Sequence, residues 1–329
     1  MPRVLIAARE AANVQDRYRD VLAAAGLEPV FPTTGRPGQL SEDELIAALG
    51  DIEASVAGSE PYTSRVLAAH PQLRVIARVG VGYDAVDVAA ATDRGIPVTI
   101  APGTNHGSVA EHTFALMLGW TRHIPARHAD MAAGGWPRVM SQPLRGRTLG
   151  LAGLGRIGKA VASRATAFEM RVLSYDPFPD HAFCAANGVT LVSFEQLLAE
   201  ADFLSLHLPS TPQTKHLINR DTLAKMKPTA VLVNTSRGGL VCEADLVPAL
   251  RERRLAGAAL DVFEQEPLAA DHPLRALPNV VLTPHAAGLD VLSLGDMARS
   301  AVEAVAALRR GEWPAEKVVN PEVRSMFRW

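Results

Sequence analysis

Three polar residues in the second half of the chain follow short apolar runs. Arg237 comes after Val231-Leu-Val-Asn-Thr-Ser, Glu266 after Ala259-Leu-Asp-Val-Phe-Glu-Gln, and His285 after Val281-Leu-Thr-Pro. Apolar runs of this length, bounded by turn residues, read as buried strands. In an open parallel sheet, ligands bind beyond the carboxyl ends of the strands, so all three can converge on one cleft. A guanidinium fork there holds a carboxylate through two parallel hydrogen bonds. An imidazole takes a proton from a hydroxyl and returns it to a carbonyl oxygen. A carboxylate beside the imidazole orients it and raises its pKa. Together they are what a hydride donor needs beside its cofactor. Taken singly, each residue has a plainer reading. Arg237 before Gly238-Gly239 could cap a turn, His285 after Pro284 could be a satisfied loop histidine, and Glu264 competes with Glu266 as the acid.

The cofactor comes from an earlier stretch. Leu149 to Ala152 reads as a strand ending in Gly153, Gly155 and Gly158, with a helical pattern from Arg156 to about Phe168. In a G-x-G-x-x-G turn the first glycine makes the turn, the second admits a pyrophosphate, and the third packs helix on strand. The helix N-terminus offers N–H groups to the phosphates. A second strand, Arg171 to Tyr175, ends at Asp176, about 20 residues on, where a ribose-binding acid belongs. A carboxylate there accepts bonds from both ribose hydroxyls and repels a 2′-phosphate, which favours NAD over NADP.

The elements that must position these groups alternate strand and helix along the chain. The pattern predicts strands near Val4–Ala8, Pro29–Phe31, Ala54–Ala57, Leu73–Val79 and Ile96–Ile100, with helices between them. A second series follows the glycine turn, at Val189–Val192, Phe203–His207, Ala230–Asn234, Ala258–Val262 and Val280–Thr283. The fold class is therefore α/β, with two doubly wound parallel sheets. Residues 1–101 with 289–329 form an expected flavodoxin-like substrate domain, and residues 102–288 a Rossmann NAD-binding domain. Helices are expected at Ser108–His123 and Val291–Arg309, and a loop-rich stretch at His128–Arg145. The tail is expected to return to the first domain.

Composition narrows the function classes. The chain has 329 residues, a formal net charge of −2 and two cysteines, Cys184 and Cys242, without metal-type spacing. There is no basic footprint for nucleic acid, no polybasic membrane segment and no metal-binding pattern. The N-terminal apolar run is short for a signal peptide, and no run is long enough to span a bilayer. A soluble cytoplasmic protein is the expectation.

The motifs also carry a resemblance. Gly153-Leu-Gly-Arg-Ile-Gly158, Asn234-Thr-Ser-Arg-Gly-Gly239, Asp261-Val-Phe-Glu-Gln-Glu-Pro267 and Thr283-Pro-His285 resemble the D-isomer-specific 2-hydroxyacid dehydrogenase family. Val79-Gly-Val-Gly-Tyr-Asp84, Asn105-His-Gly-Ser-Val-Ala-Glu-His112, Gly135-Trp136 and Val319-Asn-Pro321 resemble it too, so the likeness covers nearly the whole chain. It implies NAD-dependent interconversion of a small D-2-hydroxy acid and its 2-keto acid, with Arg237, Glu266 and His285 as the catalytic set. It implies that Arg237 and His285, the N–H groups around Val79, Gly80 and Val81, and nearby Asn105 bind substrate. It places Arg156, Ile157, Leu208, Thr235 and Asp261 against the cofactor, beside the glycines and Asp176. It further implies a homodimer through the segment from Trp120 to Arg145.

Substrate identity stays open among 3-phosphoglycerate, hydroxypyruvate and glyoxylate. Phosphoglycerate dehydrogenases, which are otherwise similar, carry a phosphate-binding arginine where Ala57 stands, followed here by Gly58-Ser-Glu60. Small residues and an acid are poor phosphate ligands. Arg78, or an arginine of another subunit, is the remaining source of charge. Nor is a regulatory domain expected beyond Trp329. The alternative is an NAD(H)-sensing, corepressor-like binding protein without significant turnover, because fold alone does not establish catalysis. Formate-type relatives place glutamine where Glu266 stands, which argues against that chemistry.

Overall fold

The structure is a computed structural model and describes residues 1–33 and 40–329. Its residues divide into two units, Met1–Asn105 with Gly288–Trp329, and His106–Ala287. In the first, short apolar segments form β1 (Arg3–Ile6), β2 (Glu28–Val30), β3 (Ala54–Ala57), β4 (Val75–Arg78) and β5 (Val98–Thr99). All pair in parallel, in the order β2-β1-β3-β4-β5. That is the flavodoxin-like order, and its switch point lies between β1 and β3.

The helix Val291–Arg309 covers one face of this sheet. It starts at Asp290, whose side chain accepts the Ser293 N–H at 2.8 Å. Met297, Ala301, Val302 and Val305 pack with Val4, Ile6, Val56 and Val75. Leu45, Leu49, Leu67 and Ile76 form the core on the other face. Each fully buried aliphatic side chain contributes about 1.5–3 kcal/mol, so this helix is integral to the unit although it lies far away in sequence. The tail does return here: Val319 donates to Val98 O at 2.8 Å, and Lys317 O accepts from Ile100 at 2.9 Å.

The second unit holds β6 (Thr148–Ala152), β7 (Arg171–Tyr175), β8 (Val189–Leu191), β9 (Phe203–Leu206), β10 (Val231–Asn234), β11 (Gly257–Leu260) and β12 (Val280–Leu282). They are parallel, in the order β12-β11-β10-β9-β6-β7-β8. This is the Rossmann order with one added strand, and it reverses at β6. Strands β6, β9, β10 and β11 are buried at every residue. That explains their continuous apolar runs, since helices cover both faces. The helix His106–Thr121 lies against the helix Arg156–Ala167, and its Phe114, Leu116 and Met117 join the core with Leu149, Leu151 and Val161.

Two local expectations need correction. Part of the stretch read as loop-rich belongs to a helix, Ile124–Ala132, which buries none of its residues. With no apolar face there is no period to read, and its start is set by Pro125, whose missing N–H is harmless in the first turn. A 3-10 segment, Arg9–Arg17, also follows β1, where only a later helix was expected. Among the described residues no helix is long and apolar enough to cross a membrane.

Asn320 shows how the tail is fastened. It is 1% exposed, accepts the Val98 N–H at 2.9 Å and donates to Ile96 O at 3.0 Å and to Thr92 Oγ1 at 3.0 Å. Asn320→Ala leaves buried partners unsatisfied, each costing about 1–3 kcal/mol. The expected result is a urea midpoint lowered by about 2 kcal/mol of stability. An unchanged midpoint refutes this account of the tail.

Candidate active site

The cofactor turn is shaped by what surrounds its glycines. Gly153 has φ of +104°, and a Cβ there would lie 2.6 Å from His207 O, so no side chain fits. A Cβ on Gly158 would land on the Gly153 carbonyl oxygen, the close packing of helix on strand that the motif requires. Gly155 differs: a Cβ there meets nothing within 4 Å. That opening lies at the start of the helix Arg156–Ala167, where Gly155 is the N-cap and no side chain caps it. An uncapped helix start beside open space suits a pyrophosphate.

Asp176 follows β7. Its Oδ2 accepts the Leu154 N–H at 2.6 Å and its Oδ1 the Phe178 N–H at 2.8 Å, which ties it to the glycine turn. Each oxygen keeps a second lone pair for a ribose hydroxyl. Leu208 is buried, with its Cδ2 3.2 Å from where a Gly153 Cβ would be. Ile157 packs against the core, Arg156 is exposed, and Thr235 bonds Thr113 Oγ1 at 3.0 Å.

The three chemistry-bearing loops leave adjacent strands. Asp261 N–H donates to Asn234 O at 2.9 Å and Thr283 N–H to Leu260 O at 3.0 Å, so the ends of β10, β11 and β12 are in step. Glu266 and His285 meet: His285 Nδ1 lies 2.7 Å from Glu266 Oε2. The other oxygen, Oε1, accepts the Phe263 N–H at 2.9 Å, so the acid is held by its own loop. An imidazole with Nδ1–H on a carboxylate has Nε2 left for a ligand. The His285 side chain is 51% exposed, so it is accessible. Glu264 goes elsewhere, to His216 Nε2 at 2.5 Å and the Glu243 N–H at 2.9 Å. The competition between the two acids is thus decided by the loop's path.

Asp261 has no exposed surface. Its Oδ1 accepts from Thr283 Oγ1 at 2.6 Å and Ala286 N–H at 2.9 Å, and its Oδ2 from Ala287 N–H at 2.9 Å. Burial alone raises its pKa, but hydrogen bonds from His112, Thr283 and the two amides outweigh that and hold it at about 2. The resemblance put Asp261 against the cofactor; in this structure its oxygens hold the 283–287 loop. Those bonds stabilise His285 at a φ of +52°, a left-handed conformation uncommon for a side-chain-bearing residue.

Arg237 is half-buried on the loop after β10. Its Nη1 donates to Ser236 O at 2.6 Å, Asn234 Nδ2 donates to Arg237 O at 2.9 Å, and Ser236 Oγ donates to Leu208 O at 2.6 Å. A Cβ on Gly238 would overlap the Phe263 carbonyl. The Arg237 loop therefore rests backbone to backbone on the loop that carries Glu266.

In the other unit, the turn after β4 is pinned on both sides. Val79 N–H donates to Ala57 O at 2.8 Å, and Gly80 O accepts the Ala101 N–H at 2.8 Å. Gly80 has φ of +145°. Asn105 is half-buried, its Nδ2 3.5 Å from where a Gly288 Cβ would be.

Two histidines had no expected role. His112 Nε2 lies 2.9 Å from Thr283 Oγ1 and 3.4 Å from Asp261 Oδ1. It ends a motif quoted above, but its partners lie about half a chain away, so spacing could not assign them. His207 follows β9, with Nε2 2.9 Å from Ser205 Oγ. Burial pushes it from 6.5 to about 4.

Residues 114–287 match the family described as D-isomer specific 2-hydroxyacid dehydrogenase, NAD binding domain, more than half of the chain. A glyoxylate reductase of Korarchaeum cryptofilum is 44% identical over 290 residues, 86% of this chain and 87% of that protein. This chain belongs to the D-isomer specific 2-hydroxyacid dehydrogenases. A D-3-phosphoglycerate dehydrogenase of Mycobacterium tuberculosis is 44% identical over 291 residues, 85% of this chain; the chain spans 55% of that relative's length. The crystal structure of D-lactate dehydrogenase from Aquifex aeolicus, complexed with NAD and lactic acid, superposes with a TM-score of 0.81 at 29% identity. It covers 96% of this chain and 99% of that one. As a member of this family the chain is an NAD-dependent oxidoreductase.

The dehydrogenase carries its own pH signature in His207. Its native pKa is depressed, so below 6.5 the unfolded chain binds a proton that the folded one refuses. The stability present above pH 6.5 is lost progressively as pH falls towards about 4. In thermal melts, His207→Gln is expected to flatten that stretch of the profile. A variant profile parallel to wild type overturns the assignment.

Proposed function

We propose that this dehydrogenase interconverts a short D-2-hydroxy acid and its 2-keto acid at the ends of β10, β11 and β12. The observation that carries the reading is the 2.7 Å pairing of His285 Nδ1 with Glu266 Oε2, on loops adjoining that of Arg237. Bound NADH supplies a hydride to the keto carbon, and NAD accepts one from the hydroxy carbon. His285 Nε2 gives its proton to the carbonyl oxygen in reduction and takes the hydroxyl proton in oxidation. Glu266 holds the ring and stabilises the imidazolium when His285 is charged. Arg237 is assigned to bind the substrate carboxylate as a fork; the N–H groups of Gly80 and Val81, with Asn105, are assigned as further substrate-binding donors, the Val79 N–H being held by Ala57 O at 2.8 Å. We assign residues 1–101 with 289–329 as the substrate-binding domain.

Glyoxylate and hydroxypyruvate are the substrates favoured by the small residues after β3. NADH oxidation against glyoxylate, hydroxypyruvate, 3-phosphohydroxypyruvate and pyruvate tests the reading. His285→Gln is expected to lower kcat on the order of 10²–10⁴-fold. Arg237→Lys is expected to lower kcat/KM about 10–100-fold, the loss of a charge-assisted bond. Both should still bind NADH. Undiminished turnover in either variant removes that residue from the mechanism.

A cytoplasmic homodimer accords with this reading. Ile124, Met131, Trp136, Val139 and Met140 expose large apolar side chains along one stretch of chain. Such a patch suits burial against a second copy. Sedimentation velocity should give a dimer that Trp136→Glu with Met140→Glu dissociates; a monomeric wild type defeats the idea.

A further inference from the structure

Glu264, the acid that does not meet His285, is held from two sides. It stands two residues before Glu266, and each of its oxygens has a partner in another segment. Oε1 lies 2.5 Å from His216 Nε2, and Oε2 accepts the Glu243 N–H at 2.9 Å. Glu243 opens the helix Glu243–Arg251, whose N-cap, Cys242, makes no side-chain capping bond. Glu264 therefore takes an N–H group that the helix leaves without an internal acceptor, at the end where its dipole favours a negative charge. The arrangement is reciprocal, because Glu243 Oε1 accepts the Glu264 N–H at 2.8 Å. Glu243 is itself braced: His272 Nδ1 accepts the Leu274 N–H at 3.4 Å, which leaves the ring proton on Nε2, 3.2 Å from Glu243 Oε2.

The same bonds reach both chemistry-bearing loops. On one side, the His216 N–H donates to Gly239 O at 2.8 Å, just past Arg237. A Cβ on Gly238 would stand 2.5 Å from the Glu264 nitrogen, so the two loops touch there as well. On the other side, the Phe263 N–H donates to Glu266 Oε1 at 2.9 Å. Two successive N–H groups of one turn thus go to two acids, Phe263 to Glu266 and Glu264 to Glu243. The place of that turn fixes the place of the Glu266 carboxylate, whose Oε2 is the atom 2.7 Å from His285 Nδ1.

We propose that Glu264 is a positioning residue for the Glu266–His285 pair. Tied to His216 and to the start of the helix Glu243–Arg251, it clamps the Phe263–Glu264 turn so that Glu266 is delivered to the imidazole in one place. It acts through Glu266 alone. This rests on the function proposed above. Small displacements of a proton-transferring group are costly, about 10²-fold for 1 Å, so the loss of the clamp should register in turnover rather than in binding.

The test measures kcat and KM with NADH and glyoxylate or hydroxypyruvate, whichever turns over faster, in wild type, Glu264→Ala, Glu264→Gln, Glu266→Ala and the double alanine variant. Glu264→Ala should lower kcat at least fivefold, with KM for the keto acid and NADH affinity within threefold of wild type. Glu264→Gln should restore kcat to within twofold, because an amide oxygen still accepts the Glu243 N–H and the amide N–H₂ can face His216 Nε2. In Glu266→Ala, where the pair is already broken, removing Glu264 should cost less than twofold more; a role in general stability would cost its full factor again. A smaller loss in Glu264→Ala, no restoration by glutamine, or an undiminished loss in the Glu266→Ala background overturns the proposal. Should Glu264→Ala fail to fold, His216→Asn decides, since it removes one partner and keeps a residue type that tolerates the φ of +52° at that position. It should lower kcat at least threefold in wild type and less than twofold in Glu266→Ala, and any other result refutes the clamp. Wild-type protein that reduces no 2-keto acid defeats the functional reading and this inference with it. Turnover that is indifferent to Glu264→Ala defeats the inference alone.

Discussion

The buried carboxylate of Asp261 is the constraint on which the site depends. It sits at the end of β11 with no exposed surface, and it gathers a hydroxyl and two amides from the loop after β12. An ion in such a place is stable only when its lone pairs are filled, and here the filling groups come from the segment that presents His285. The same bonds that satisfy Asp261 therefore fix the backbone of His285 in a conformation it would rarely adopt alone. His112, from the helix His106–Thr121, completes the set from a third direction. Preorganisation of the imidazole is a consequence of satisfying one charge.

A second constraint is steric. Glycine at 238 lets one loop lie directly on the carbonyl of Phe263, and glycine at 158 lets a helix lie on the carbonyl of Gly153. In both places the absence of a side chain sets the distance between two pieces of backbone. Gly155 is the complement, a glycine facing open space rather than protein. One residue type thus serves packing at two positions and access at a third.

Much of this was legible in the residues. Buried parallel strands demand continuous apolar runs, so strands from β3 to β12 could be read closely, down to Ala54–Ala57. What escaped reading were elements without a buried face. The helix Ile124–Ala132 buries nothing, so no hydrophobic period announced it.

The residue types that follow strand ends, and the spacing of the glycines, were determined by the sequence itself. They are local consequences of how a strand must turn into a helix around a phosphate. Tertiary structure alone decided which of Glu264 and Glu266 meets His285, and that Asp261 holds the loop after β12. Those choices turn on hydrogen bonds between segments far apart in the chain. A side chain's partner is set by which loops the sheet order brings side by side, and sheet order is a property of the whole unit rather than of any stretch within it.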